Sequence, residues 1–137
     1  MENCIFCKII AGEIPCTKIW ENETAMAFLD IKPTNSGHLL LIPKEHTENL
    51  TTVNPALLAD LMAQVPLLGR ALLKATACSA FNLGVNSGQT AGQVVPHLHI
   101  HLIPRYEGDG LVSWPGRDYV DGELEKVAEA LKCALDS

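Results

Sequence analysis

The segment HLHIHLI, residues 97–103, constrains this chain more than any other stretch. It holds three of the five histidines, at alternate positions. A period of two belongs to an extended strand, where successive side chains point to opposite faces of a sheet. His97, His99 and His101 therefore share one face, and Leu98, Ile100 and Leu102 share the other. The aliphatic face is expected in the core and the imidazole face outside it. Same-face neighbours on such a strand stand about 6–7 Å apart, and the outer pair about 13 Å apart.

A row of imidazoles has three readings. It is a polar strand face, a three-histidine metal site, or a catalytic row. Zinc takes nitrogen ligands at about 2.0–2.1 Å, so adjacent rings can share an ion, whereas the outer pair hardly reaches the same one. In the catalytic reading, a neutral imidazole is a nucleophile at neutral pH because its ordinary pKa is about 6.5. An Nδ1–H held by a backbone carbonyl leaves the Nε2 lone pair for attack. His99 has imidazoles on both sides and is the natural attacker. His101 is placed to donate to a phosphoryl oxygen or a leaving group. The preceding loop, NSGQTAGQVV, sets Asn86, Gln89 and Gln93 among small residues. Such a loop can turn N–H groups toward an anion. It lacks the Gly-Lys-Ser/Thr signature of a P-loop.

The other segments supply a scaffold for that strand. CIFCKIIAGEIPC allows one or two helical turns before Gly12 and Pro15 end them. TKIWENETAMAFLD reads as two short strands around a Glu-Asn-Glu turn, and GHLLLIP as a third, central one. Asn54 is a good N-cap and Pro55 suits the first helical position. Leu57, Leu58, Leu61, Val65, Leu68 and Leu72 follow at helical spacing, with a kink expected at Pro66. FNLGVN is a fourth strand, GQTAGQ a loop, and HLHIHLI the fifth strand. Over residues 121–136, Leu124, Val127, Leu131 and Leu135 share one face of a closing helix. This order predicts an α+β fold with a mostly antiparallel sheet.

A chain of 137 residues suffices for one compact domain, here expected over 1–137, and no linker or repeat divides it. The net charge of −6 repels a phosphate backbone. Nucleic acid is therefore not an expected partner, although one small phosphate ligand can still be held by local donors. No run approaches the ~20 apolar residues of a membrane span. MENCIFCKII lacks the basic and apolar regions of a secretory leader. Five cysteines, an odd number without a pairing pattern, fit a reduced, cytoplasmic protein.

HLHIHLI fits the His-x-His-x-His-x-x pattern, with apolar x, of the histidine triad family of nucleotide hydrolases and transferases. FLDIKPTNSGHLLLIPKEH resembles that family's other recognisable segment, and CIFCKIIAGEIP resembles the N-terminus of its bacterial-type members. Order and spacing agree over residues 4–105. The resemblance implies a five-stranded sheet per subunit and a homodimer joined through it. It implies hydrolysis of purine nucleoside 5′-phosphoramidates, or related nucleoside phosphoryl compounds, through a nucleotidyl-histidine intermediate.

By motif position, the resemblance makes His99 the nucleophile and brings His101 to the α-phosphate or leaving group, with His97 completing the triad. His38 would support the triad from the next strand. Asp30 and Ile31 would meet the ribose and base. Asn86 would lie near the phosphate, and Gln93 with the backbone of Gly92 and Val94 would hold it. Some members carry serine where this chain has Val94, which leaves only the backbone N–H contact there. Dinucleoside polyphosphates are the alternative substrates. A non-catalytic nucleotide-binding protein is the rival from another class.

CIFC also has three readings. A redox pair usually follows a strand, and Cys4 has almost no chain before it. Two buried thiols are a second reading, and half a zinc site is a third. The resemblance supplies the other half, since His46 and His97 match positions that complete a Cys₂His₂ zinc site in bacterial-type relatives. It implies one structural zinc per chain on Cys4, Cys7, His46 and His97. Trp114 reads as an aromatic closing the surface or, by resemblance, as a contributor to leaving-group choice.

Overall fold

The computed structural model describes residues 3–136. A short helix α1 (Ile5–Ile10) is followed by strands β1 (Lys18–Glu21), β2 (Ala25–Leu29) and β3 (Leu39–Pro43). Helices α2 (Pro55–Met62) and α3 (Val65–Ala75) lead to β4 (Ala80–Gly84), a 3₁₀ turn (Gln89–Ala91), β5 (Ile100–Arg105) and α4 (Glu123–Leu135). The five strands form one sheet in the order β1-β2-β3-β5-β4, and every neighbouring pair is antiparallel. The predicted α+β class and strand count hold.

Local chemistry explains the elements. The Asn22 side chain accepts from the Thr24 and Ala25 N–H groups at 2.9 and 2.8 Å, closing the β1–β2 hairpin. Asn54 caps α2 by accepting from the Ala56 N–H at 2.8 Å. The kink expected at Pro66 is a full break: α2 ends at Met62, and α3 restarts at Val65 with the proline in its first turn. There its missing N–H costs nothing.

Alternation along the strands gives the sheet two buried faces. Ala25, Ala27, Leu39, Leu41, Leu98, Ile100 and Leu102 pack under α2 and α3 against Leu61, Leu68 and Leu72. Met26, Phe28, Leu40 and Ile42 pack on the opposite face under Cys4 and Phe6. At Gly69 an added Cβ would lie 2.5 Å from the Phe81 ring, so only glycine lets α3 approach β4 this closely.

Three expectations change. The histidine row is not entirely within a strand, because β5 begins at Ile100. Its pairing with β3 runs from Leu39↔Leu102 to Leu41↔Ile100. Beyond that, Pro43 has no N–H to offer, and the Leu98 N–H turns to the Thr47 carbonyl at 2.7 Å. The imidazole face is not outside the core either. His97 is 0% exposed and His99 8%, because α1 roofs that side. Finally, α4 buries no residue, and Leu131 and Leu135 are 61% and 84% exposed. Among the described residues, the closing helix buries none of its apolar stripe.

The stretch Pro55–Ala75 is long and apolar enough to cross a membrane by length and composition, with a mean hydropathy of 1.5. This stretch overturns the expectation that no segment reaches that size. Its break after Met62 and its buried Leu61, Leu68 and Leu72 give it a packing role on the sheet.

Candidate active site

Beneath the roof formed by α1, hydrogen bonds fix the ring tautomers one after another. His99 Nδ1 lies 2.7 Å from the carbonyl oxygen of His97. A carbonyl only accepts, so Nδ1 carries the proton and Nε2 keeps the lone pair. The Thr34 N–H donates to His38 Nδ1 at 3.1 Å, which places the His38 proton on Nε2. His38 Nε2 then donates to His101 Nδ1 at 2.9 Å, so neutral His101 carries its proton on Nε2. Among the described residues, that nitrogen is the one buried side-chain N or O atom without a partner. Burial, with His99 and His38 adding to it, pushes His101 down to about 4, so the ring is neutral at physiological pH. Burial lowers His38 as well. The pair thus presents a lone pair on His99 and an unsatisfied donor on His101, with ring centroids 4.9 Å apart.

Both rings face a cleft of about 520 Å³, walled by Ile5, Phe6 and Ile9 of α1, by Phe28 to Lys32 at and beyond the end of β2, and by Asn86, Gly92 and Val94. Asp30 and Ile31 stand in this wall, Ile31 almost fully exposed. One Asp30 oxygen accepts from the Lys32 N–H at 2.8 Å, and the other lies 3.8 Å from His38 Nε2. A second cavity of about 450 Å³ opens on the far side of His101, with Asn82, Arg105 and Trp114 among its walls. His38, His101 and Asn86 line it too.

Gln93 does not line the cleft. Its Oε1 accepts from the Gly88 N–H at 2.8 Å, and its Nε2 donates to the carbonyls of Glu48 and Val95 at 2.7 and 3.1 Å. Every polar atom of that amide is spent on folding the loop, and its neighbours Gly92 and Val94 line the cavity instead. Gly92 sits at φ +96°, a left-handed conformation that suits glycine.

The row also divides. His97 turns away from the cleft into a separate cluster with Cys4, Cys7 and His46, whose ligand atoms all lie within 4.8 Å of one another. His97 Nδ1 is 3.3 Å from Cys4 Sγ, 3.6 Å from Cys7 Sγ and 3.2 Å from His46 Nδ1, and Cys7 Sγ is 3.3 Å from His46 Nδ1. Ligands around a tetrahedral zinc with bonds of about 2.0–2.3 Å stand about 3.3–3.8 Å apart. His97 Nε2 donates to the Pro43 carbonyl at 2.9 Å, leaving the Nδ1 lone pair directed at the cluster. Donor set, spacing and tautomer all fit a closed zinc site.

Asp30, His38 and His101 also cluster within 4.8 Å. There the tautomers oppose a metal, because His38 already accepts at Nδ1 and would have to surrender its Nε2 proton to ligate.

The HIT domain family model matches residues 11–108. This chain belongs to the HIT family. It is 48% identical over 129 residues to adenylylsulfatase HINT3 of Arabidopsis thaliana, a match covering 94% of this chain and 66% of that longer protein. It is 42% identical over 135 residues to adenosine 5′-monophosphoramidase HNT1 of Saccharomyces cerevisiae, covering 97% of this chain and 83% of the relative. The crystal structure of a Zn-bound histidine triad family protein from Mycobacterium smegmatis superposes with a TM-score of 0.77 at 36% identity, covering 98% and 96% of the two chains.

Several residues of this HIT domain carry the geometry without any mark in the sequence. Phe6 stands edge-on to both His97 and His99, with centroids 5.8 and 5.1 Å away. Thr34 and Pro43 act through main-chain atoms alone, and no side-chain pattern reveals such a role. Asp109 gathers the turn after β5, bonding Arg105 at 2.8 Å and Asn35 at 3.0 Å. The Arg105 guanidinium holds its carboxyl well below the usual range.

Proposed function

We propose that this HIT protein hydrolyses nucleoside 5′-phosphoramidates, with purine nucleosides as the leading substrates. The observation that carries the reading is the 2.7 Å bond from His99 Nδ1 to the His97 carbonyl, which commits the ring to a lone pair on Nε2 beside a cleft. His99 Nε2 attacks the α-phosphorus as the P–N bond to the amine breaks. His101 Nε2–H donates to a phosphoryl oxygen or to the departing amine. Water then attacks nucleotidyl-His99 and releases the nucleoside monophosphate. Asp30 and Ile31 meet the ribose and base, and the backbone N–H groups of Gly92 and Val94 meet the phosphate, with Asn86 near it. The names of the yeast and Arabidopsis relatives, a phosphoramidase and an adenylylsulfatase, support cleavage at a nucleoside phosphoryl group.

The Cys4, Cys7, His46 and His97 set is assigned one structural zinc, with no open position for water. The reading includes a homodimer. The edge strands β1 and β4 and the uncovered α4 offer surfaces for it.

Adenosine phosphoramidate and diadenosine polyphosphate, each incubated with the protein, test the reaction through release of AMP. Release from the phosphoramidate is expected. Release from neither would leave a nucleotide-binding protein. His99→Ala should lower turnover by at least about a thousandfold, the scale on which losing a nucleophile is felt, while AMP affinity stays close to wild type.

A further inference from the structure

We propose that the Cys4–Cys7–His46–His97 cluster is a clasp whose metal occupancy decides whether α1 walls the cleft, so that metal binding regulates nucleotide binding. The inference rests on the nucleotide reading above and on the position of α1. That helix has six residues, whereas isolated helices below about 12–15 residues are marginal in water. Phe6 is its one fully buried residue, and Cys7, Ile9 and Ile10 are only partly buried against the same apolar cluster.

Its pair of thiols supplies a second hold on α1. Cys4 caps it, accepting from the Cys7 N–H at 3.4 Å, and both sulfurs reach His97 on the triad segment. Cys7 also reaches His46 on the loop after β3. One ion would therefore tie three distant segments of chain together. Without it the cluster holds thiol–imidazole contacts and the His46–His97 ring contact, and a thiol is a weak donor.

The same helix carries Ile5, Phe6 and Ile9 into the cleft wall. Phe6, between the two cysteines in sequence, stands edge-on to the His99 ring at 5.1 Å and 85°. The catalytic tautomers do not depend on α1, since they are set by the His97 carbonyl and by Thr34 through His38. Loss of metal should therefore loosen substrate binding more than it slows the bound reaction: KM rises and kcat falls little.

The test uses the full chain loaded with zinc, the same protein stripped with a chelator, and Cys7→Ser. Hydrogen exchange follows α1, calorimetry follows AMP binding, and kinetics with adenosine phosphoramidate give KM and kcat. Stripping should release one zinc per chain and speed exchange over residues 5–11 at least about tenfold, with β2, β3 and β5 still protected. AMP affinity should weaken about tenfold, and zinc should restore the stripped wild type but not Cys7→Ser.

Absence of bound zinc overturns the clasp. So does stripping that leaves α1 exchange or AMP affinity unchanged, and so does loss of protection throughout the sheet, which would make the metal a general scaffold. A zinc-loaded protein that binds no AMP overturns the nucleotide reading instead, and the exchange of α1 then decides the clasp alone.

Discussion

A backbone N–H at Thr34 determines where His101 keeps its proton, by way of His38. A buried ring that must stay neutral has a cost at low pH. Folded His101 takes a proton only near pH 4, whereas in the unfolded chain the same ring does so near 6.5. Between those values the unfolded state binds more protons, so stability is fully present above about pH 6.5 and declines as pH falls toward 4. Denaturant midpoints measured from about pH 7.5 down to about pH 5 should fall, and His101→Asn should reduce the slope. Gln93 is the other residue whose role is set by its partners. Gln93→Ala leaves the Gly88 N–H and the Glu48 carbonyl without their side-chain partner. The expected loss is about 1–3 kcal/mol in chemical denaturation.

Among the elements, α3 lies close against β4 at Gly69. Ordinarily an alanine gains about 1 kcal/mol over glycine inside a helix. At position 69 the added methyl would sit 2.5 Å from the Phe81 ring, and overpacking costs about 1–3 kcal/mol. The clash should win, so Gly69→Ala is expected to lower the melting temperature, and adding Phe81→Leu should recover part of the loss. A Gly69→Ala protein more stable than wild type would show that the helix can slide away from the sheet.

Across the whole molecule, two sheet faces are covered, while the edge strands β1 and β4 and the helix α4 are not. The edge strand β4 has an exposed burial pattern and one unpaired side, and α4 keeps Leu124, Val127, Leu131 and Leu135 in solvent. Unpaired edges and exposed apolar stripes mark association surfaces. Sedimentation at micromolar concentration is expected to give a dimer, and a monomer at all concentrations would remove dimerisation from the functional reading. Because Leu131 is already exposed, Leu131→Lys should alter folding stability by no more than about 0.5 kcal/mol. Any larger effect on sedimentation would place α4 in the contact.

Sequence alone determined the period-two row of histidines, the aliphatic strip behind it, the capped helix start at Asn54 and the strand count. These rest on side-chain alternation and local capping, which act within a few residues. It also brought together the four residues of the metal cluster, through resemblance of their positions. Only the tertiary structure decided which ring nitrogen His97 turns to that cluster, that Gln93 is consumed by its own loop and that Phe6 roofs the nucleophile. Each of those outcomes depends on a partner remote in the chain, or on a main-chain atom that every residue carries: the Pro43 carbonyl, the Glu48 carbonyl, the Thr34 N–H. Backbone groups have no signature in a sequence, and it is they that assign each imidazole its proton.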